Sequence, residues 1–132
     1  MLADHTPVAN IATADLPRAR TFYEDVLGFR PVQELPEGGV VVYAGGTGNL
    51  LLYVSPYAGT NKATAVGFQL SLADFDAEIA TLRAAGVSLD TFDAPGMTWV
   101  DGVAIVGGGA GKGAWFRDPD GNTIGVTAGE MG

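Results

Sequence analysis

The chain has 132 residues, enough for one domain with a core of its own, and 47% of them are hydrophobic, which excludes a disordered chain. Seven Lys and Arg stand against 15 Asp and Glu, a formal charge of −8 with a pI near 4.3, so nucleic acid, which needs a basic face, is excluded as a partner. With no cysteine there is no disulfide or thiolate chemistry, no apolar run is long enough for a bilayer, and "MLADHTPV" has no signal-peptide character; the expectation is a soluble, cytoplasmic protein with no membrane partner.

In chain order, a strand is predicted over about 7–13. A helix follows, capped by Asp15, with Leu16, Ala19, Phe22, Tyr23, Val26 and Leu27 at helical spacing until Gly28 stops it. Strands are predicted over about 29–34, 39–44 and 49–55. The second half offers a strand at 64–71 and a helix capped by Asp74, with Phe75, Ile79 and Leu82 on one stripe and Gly86 as terminator. Strands at about 87–92, 112–118 and 122–128 complete it. The residues of 93–113, "DAPGMTWVDG" (93–102) through "GGGAGKG" (107–113), read as a long loop, and such loops are often functional covers. "GGGAGKG" lacks the Ser or Thr after Lys112, the correctly spaced first glycine and the following helix of a phosphate loop, so it reads as a flexible connection.

Each half thus reads strand, helix and three strands, and "GN" opens the last strand of both, at Gly48-Asn49 and Gly121-Asn122. The implied architecture is α+β, one domain over 1–132 built from two βαβββ modules, about 5–58 and 63–129, each too small to bury its sheet alone.

"FRDPDGNTIGV" (116–126) superficially suggests a calcium loop, with Asp118, Asp120 and Asn122 at alternate positions. Counted from Asp118, however, Gly121 falls at position four and Gly129 at position twelve, where an EF-hand needs glycine at six and glutamate at twelve. Pro-Asp-Gly between β-branched and aromatic runs is a hairpin turn instead.

"DLPRARTFYEDVLGF" (15–29) followed by "AWFRDPDGN" (114–122) resembles the glyoxalase I, bleomycin-resistance and extradiol-dioxygenase superfamily, the vicinal oxygen chelate proteins. The resemblance covers nearly the whole chain and implies a cup-shaped mixed sheet with helices on its outer face, and a homodimer. Metal-dependent members hold one divalent ion on four side chains, two from the first and two from the last strands of the modules. Aligning the modules on Asp15 and Asp74, and on the two "GN" starts, puts those positions at Val8, Gly67, Leu52 and Gly125, none of which can ligate through its side chain. No metal and no cofactor are expected. His5, the only histidine, reads as a surface residue.

By the period-two rule, Asn10, Ala12, Leu50, Val54, Ala65, Gln69, Ser71, Thr123 and Thr127 share the cup face with those positions. Ala9, Ile11, Leu51, Tyr53, Val66, Phe68, Leu70, Ile124 and Val126 then face the helices, with Ala114 and Phe116, leaving Trp115 and Arg117 in the cup. Candidate ligand contacts are Asn10, Tyr43, Leu50, Leu52, Gln69, Ser71, Trp99, Trp115, Arg117, Thr123 and Thr127. Trp99 and Met97 either close over a ligand or pack on the core or a dimer contact. Arg117 either binds an anionic group or pairs locally with Asp118 or Asp120. Tyr57 is a rim candidate, and Asp76 and Glu78 complement the helix dipole.

This face holds amides, hydroxyls, one tryptophan and one arginine, but no base or activated nucleophile. The leading expectation is a metal-independent protein that binds a small molecule such as an antibiotic or natural product, the acidic surface suiting a cationic one. The rivals are a glyoxalase-like lyase, isomerase or dioxygenase with an atypical or absent metal site, and an interaction module with a vestigial cup.

Overall fold

A computed structural model describes residues 1–130, which fall into two compact units: Met1–Lys62 with Pro119–Asn122, and Ala63–Asp118 with the residues from Thr123 onward. The first unit contains β1 (Ala9–Thr13), α1 (Leu16–Arg20) continuing as a π-helical segment (Thr21–Val26), β2 (Arg30–Leu35), β3 (Val40–Gly45) and β4 (Gly48–Val54). Its four-stranded sheet has the order β1-β4-β3-β2, parallel between β1 and β4 and antiparallel elsewhere. This is the expected βαβββ order. Asp15 caps α1 through its carboxylate, which accepts from the Arg18 amide at 3.1 Å, and Pro17 sits in the first turn where its missing N–H costs nothing.

The second unit contains β5 (Thr64–Leu70), α2 (Leu72–Ala84), β6 (Thr98–Val100), β7 (Val103–Val106), β8 (Gly111–Arg117) and β9 (Thr123–Gly129), in sheet order β5-β9-β8-β7-β6. Here the structure corrects three expectations. The strand at 87–92 does not form, because Asp90 makes one isolated bridge to Trp115 and Asp93, Pro95 and Gly96 then turn the chain away. The stretch at 93–113 is not one loop, since β6 and β7 form a hairpin inside it. Its turn is Asp101-Gly102, with φ of 49° and 81°, the two positive angles a type I′ turn requires. The module is therefore βαββββ. Finally, the cap of α2 is Ser71, not Asp74: the Ser71 hydroxyl accepts from the Asp74 amide at 3.2 Å and donates to the Asp74 carboxylate at 2.9 Å.

The second unit's core lies between its sheet and α2, where Ala114, Phe116, Ile124, Val126 and Ala128 meet Phe75, Ile79 and Leu82. That is the face assignment expected for β8 and β9. In the first unit Ile11, Val41, Tyr43, Leu50 and Leu52 are buried with Ala19 and Tyr23, the Tyr23 and Tyr43 rings stacking at 6.2 Å. Full burial of an aliphatic or aromatic side chain such as these contributes roughly 1.5–3 kcal/mol.

The facing of β4 is thus opposite to expectation. Ile11 pairs with Leu52, so Leu50 and Leu52 share the buried face, while Leu51 and the 37% exposed Tyr53 lie on the open side with Asn10 and Ala12. The two "GN" pairs are not equivalent: Gly48-Asn49 is already strand, entered from a tight turn at Gly46-Thr47, whereas Gly121-Asn122 belongs to the turn preceding β9. Because the side-chain period is two, a change of one residue in the reference point inverts the face.

Candidate functional site

The segment Pro119–Asn122 packs with the first unit and spends its polar groups there. The Asp120 carboxylate accepts from the Thr13 hydroxyl at 2.6 Å, the Ala14 amide at 2.8 Å and the Arg18 guanidinium at 2.8 Å. Asn122 donates from Nδ2 to the Ala12 carbonyl at 2.8 Å and accepts from the Gly59 amide at 3.2 Å. These residues are a structural latch, occupied by protein donors rather than by a ligand.

Arg20, Glu24 and Tyr43 form a second polar group in the first unit. Arg20 Nε meets Glu24 at 2.6 Å, its Nη2 meets Glu34 at 2.5 Å, and the Tyr43 hydroxyl donates to Glu24 at 2.9 Å. The Arg20 hydrogen bond holds the Glu24 carboxyl below its usual range, and Glu24 in turn raises the arginine. Burial, followed by the bond to Glu24, pushes the Tyr43 hydroxyl above its usual range. Tyr43 is completely buried, so it is removed from the binding candidates as a core residue. A cleft of about 410 Å3 runs alongside, lined by Leu16, Pro17, Arg20, Thr21, Glu24 and Asp25, and the charges of Arg20 and Glu24 in it are spent on each other.

The open face of the second sheet is different in character. The register runs Trp99–Ala104–Gly113–Thr127–Gln69 across five strands, and Trp115–Gly125–Gly67 beside it, so these residues share one side. Three aromatic rings cluster there: Phe92 lies 5.2 Å from Trp99 and 5.0 Å from Trp115, and the two tryptophans are 6.0 Å apart, all edge to face. None is fully buried; Phe92 is 46% exposed. Beside them an open cleft of about 540 Å3 is lined by Thr91, Phe92, Asp93, Ala94, Met97 and Trp99. The segment carrying Phe92 is fixed at its base by the Asp90 amide, which donates to the Trp115 carbonyl at 2.7 Å, and by the Asp90–Arg117 ion pair at 3.1 Å.

Of the candidates, Trp99, Trp115, Gln69, Thr123 and Thr127 come together on this face, Thr127 donating to the Gln69 side-chain oxygen at 2.9 Å. Arg117 is at its edge but pairs with Asp90, not with Asp118 or Asp120. Asn10 is on the open side of β1 in the first unit. Leu50 and Leu52 are core, and Ser71 is a helix cap rather than a strand residue. Met97 lines the cleft, whereas Tyr57 and His5 are exposed outside it. Phe92 is the contact that sequence reasoning missed, because a strand drawn through 87–92 gave it no reason to turn back onto Trp115.

At the positions that the repeat led us to expect as equivalents of metal ligands, the side chains do not fit a divalent ion. Val8 precedes β1, Gly67 and Gly125 offer no donor, and Leu52 lies on the buried face of β4 rather than the open face expected for it. A Cβ on Gly125 would lie 2.9 Å from Trp115 Nε1 and 3.2 Å from its Cδ1, so the indole occupies the space above that residue. Among the described residues, no three or more His, Cys, Asp or Glu side chains are grouped for metal.

The fold matches solved structures along almost its whole length. TnmS3, an antibiotic-binding protein from a Streptomyces species, is 25% identical, with 96% of both chains covered and a TM-score of 0.61. Lactoylglutathione lyase from Agrobacterium tumefaciens is 22% identical, covering 95% of this chain and 93% of that one at a TM-score of 0.67. A fosfomycin resistance protein from Listeria monocytogenes is 13% identical, covering 97% and 92% at a TM-score of 0.67. No protein of curated function matches the sequence. The family model for the Glyoxalase/Bleomycin resistance protein/Dioxygenase superfamily matches residues 4–126, and the chain belongs to that family.

Proposed function

We propose that this chain is a metal-independent binding protein for a small, largely apolar molecule, seated on the aromatic face of the second unit. The observation that carries this reading is the cluster of three partly exposed rings, Phe92, Trp99 and Trp115, beside a cleft that also presents Met97. Large rigid side chains left partly in water beside a concave surface are what a ligand pocket uses. The antibiotic-binding role of TnmS3 supports the same reading. Asp93 at the cleft and the net charge of −8 favour a cationic ligand. The reading includes a cytoplasmic homodimer. The family resemblance supports the dimer, as does the edge strand β2, where Val32 and Leu35 are 59% and 50% exposed.

A calorimetric and thermal-shift survey of cationic amphiphilic natural products tests the reading. A bound compound should lose roughly thirtyfold in affinity on Trp99→Ala, the scale of an aromatic anchor. No shift with any compound, or binding unaffected by Trp99→Ala and Phe92→Ala, overturns it. Protein purified without chelators should carry far less than one equivalent of divalent metal by elemental analysis, and EDTA should leave its melting temperature unchanged. One tightly held equivalent would overturn the metal-independent part.

A further inference from the structure

We infer that the ligand of this face is a flat ring system bearing a carbonyl-type acceptor, lying on the sheet where Gly67 leaves it bare of a side chain, beside the Trp115 indole and bonded to its N–H. The inference rests on the binding proposal above and specifies its chemistry.

The bare position follows from the register. Trp115, Gly125 and Gly67 stand side by side on β8, β9 and β5, and β5 is an edge strand. The Nε1–Cδ1 edge of the Trp115 indole lies against Gly125, and the next position outward is Gly67. Gly67 is exposed, and the nearest atom to a Cβ built there is the Gly125 carbonyl oxygen at 3.9 Å. Neither glycine has the positive φ that would demand glycine for backbone reasons. Glycine inside a strand weakens it and often marks a close approach of another group. At Gly125 that group is the indole, whereas at Gly67 the protein supplies none.

A donor lies beside the bare position. No hydrogen bond within the described residues engages Trp115 Nε1, and no buried side-chain nitrogen or oxygen lacks a partner among them, so this N–H is open to solvent. Gln69, exposed two residues along β5, has its oxygen engaged by Thr127. The exposed backbone at Gly67 on the edge strand, with the indole edge beside it, accepts the face of a flat ring. It offers no depth for a bulky aliphatic body. The indole N–H selects a ligand with a carbonyl-type acceptor.

Fluorenone, fluorene and adamantanone separate the requirements: a flat ketone, its hydrocarbon, and a ketone that is not flat. Binding is read by tryptophan fluorescence and calorimetry. Wild type should bind fluorenone about fivefold more tightly than fluorene, the scale of one neutral hydrogen bond, and more than about tenfold more tightly than adamantanone. Trp115→Phe keeps a ring but no N–H and should erase the fluorenone–fluorene difference. Gly67→Leu projects into free space, should fold with an unchanged or raised melting temperature, and should weaken both flat probes by about tenfold or more. Equal binding of fluorenone and fluorene by wild type, equal binding of the two ketones, or wild-type affinity in Gly67→Leu overturns the inference. If a cationic amphiphile still binds and is lost in Trp99→Ala, that failure leaves the binding proposal standing. If no compound of either set binds, the proposal fails and the inference with it.

Discussion

Gly59 shows how much a single position in this chain can carry. Its φ is +71°, a region L-residues rarely adopt, and a Cβ there would run into the Asp120 carbonyl oxygen. Its amide also donates to Asn122, whose own amide holds the end of β1 through the Ala12 carbonyl. Gly59→Ala therefore loses twice, through backbone strain and by displacing the Pro119–Asn122 latch. We expect a destabilisation of about 2 kcal/mol or more by urea titration, where an exposed Gly→Ala at ordinary φ is neutral or stabilising. A loss under about 0.5 kcal/mol would show that the latch yields. The Asp-Pro-Asp-Gly-Asn stretch was legible as a turn and as a family mark. Its role as a hydrogen-bonding latch was not, because Thr13 and Asp120 are 107 residues apart in the chain.

At the scale of elements, local chemistry explains both the successes and the misses. Asp15 and Gly28 bound the first helix as the sequence indicated. The start of the second was legible too, since Ser-x-x-Asp at 71–74 is a capping signature, although a strand extended through Ser71 hid it. Ser71→Ala should cost about 1 kcal/mol of unfolding free energy by thermal or urea melting, while Asp74→Ala should cost less because the serine hydroxyl still meets the amide of residue 74. Equal losses would return the cap to Asp74. The hairpin β6–β7 was also written locally, as Asp101-Gly102 between "TWV" and "VAIV". Parity in β4 was less accessible: Leu50 to Tyr53 is a run of three leucines and a tyrosine, and an apolar run without alternation does not reveal which residues face inward.

At the scale of the whole molecule, charge and titration oppose each other. Lowering the pH from 7 toward the pI near 4.3 removes the repulsion of a net charge of −8, which favours the folded state. Glu24 acts in the other direction. Arg20 holds its folded-state pKa below the ordinary value of 4.5, so its contribution is present above about that pH and is lost as the pH falls through the folded value. The melting temperature of wild type minus that of Glu24→Gln should thus be positive at pH 7 and shrink below pH 4.5. A pH-independent difference would assign the Glu24 effect to packing rather than charge.

The sequence alone determined the α+β class, both helices, the first βαβββ order, the inner faces of β8 and β9, and the lack of donor side chains at Val8, Gly67 and Gly125. Each of these depends on side-chain type and on spacing within one element, which the chain carries wherever it folds. Only the tertiary structure decided that Leu50, Leu52 and Tyr43 are core, that Asp90 rather than a neighbouring aspartate pairs with Arg117, and that Phe92 returns to Trp99 and Trp115. Those outcomes depend on strand register and on the path of an irregular segment. Both are set by contacts between residues distant in sequence, and no local spacing encodes them.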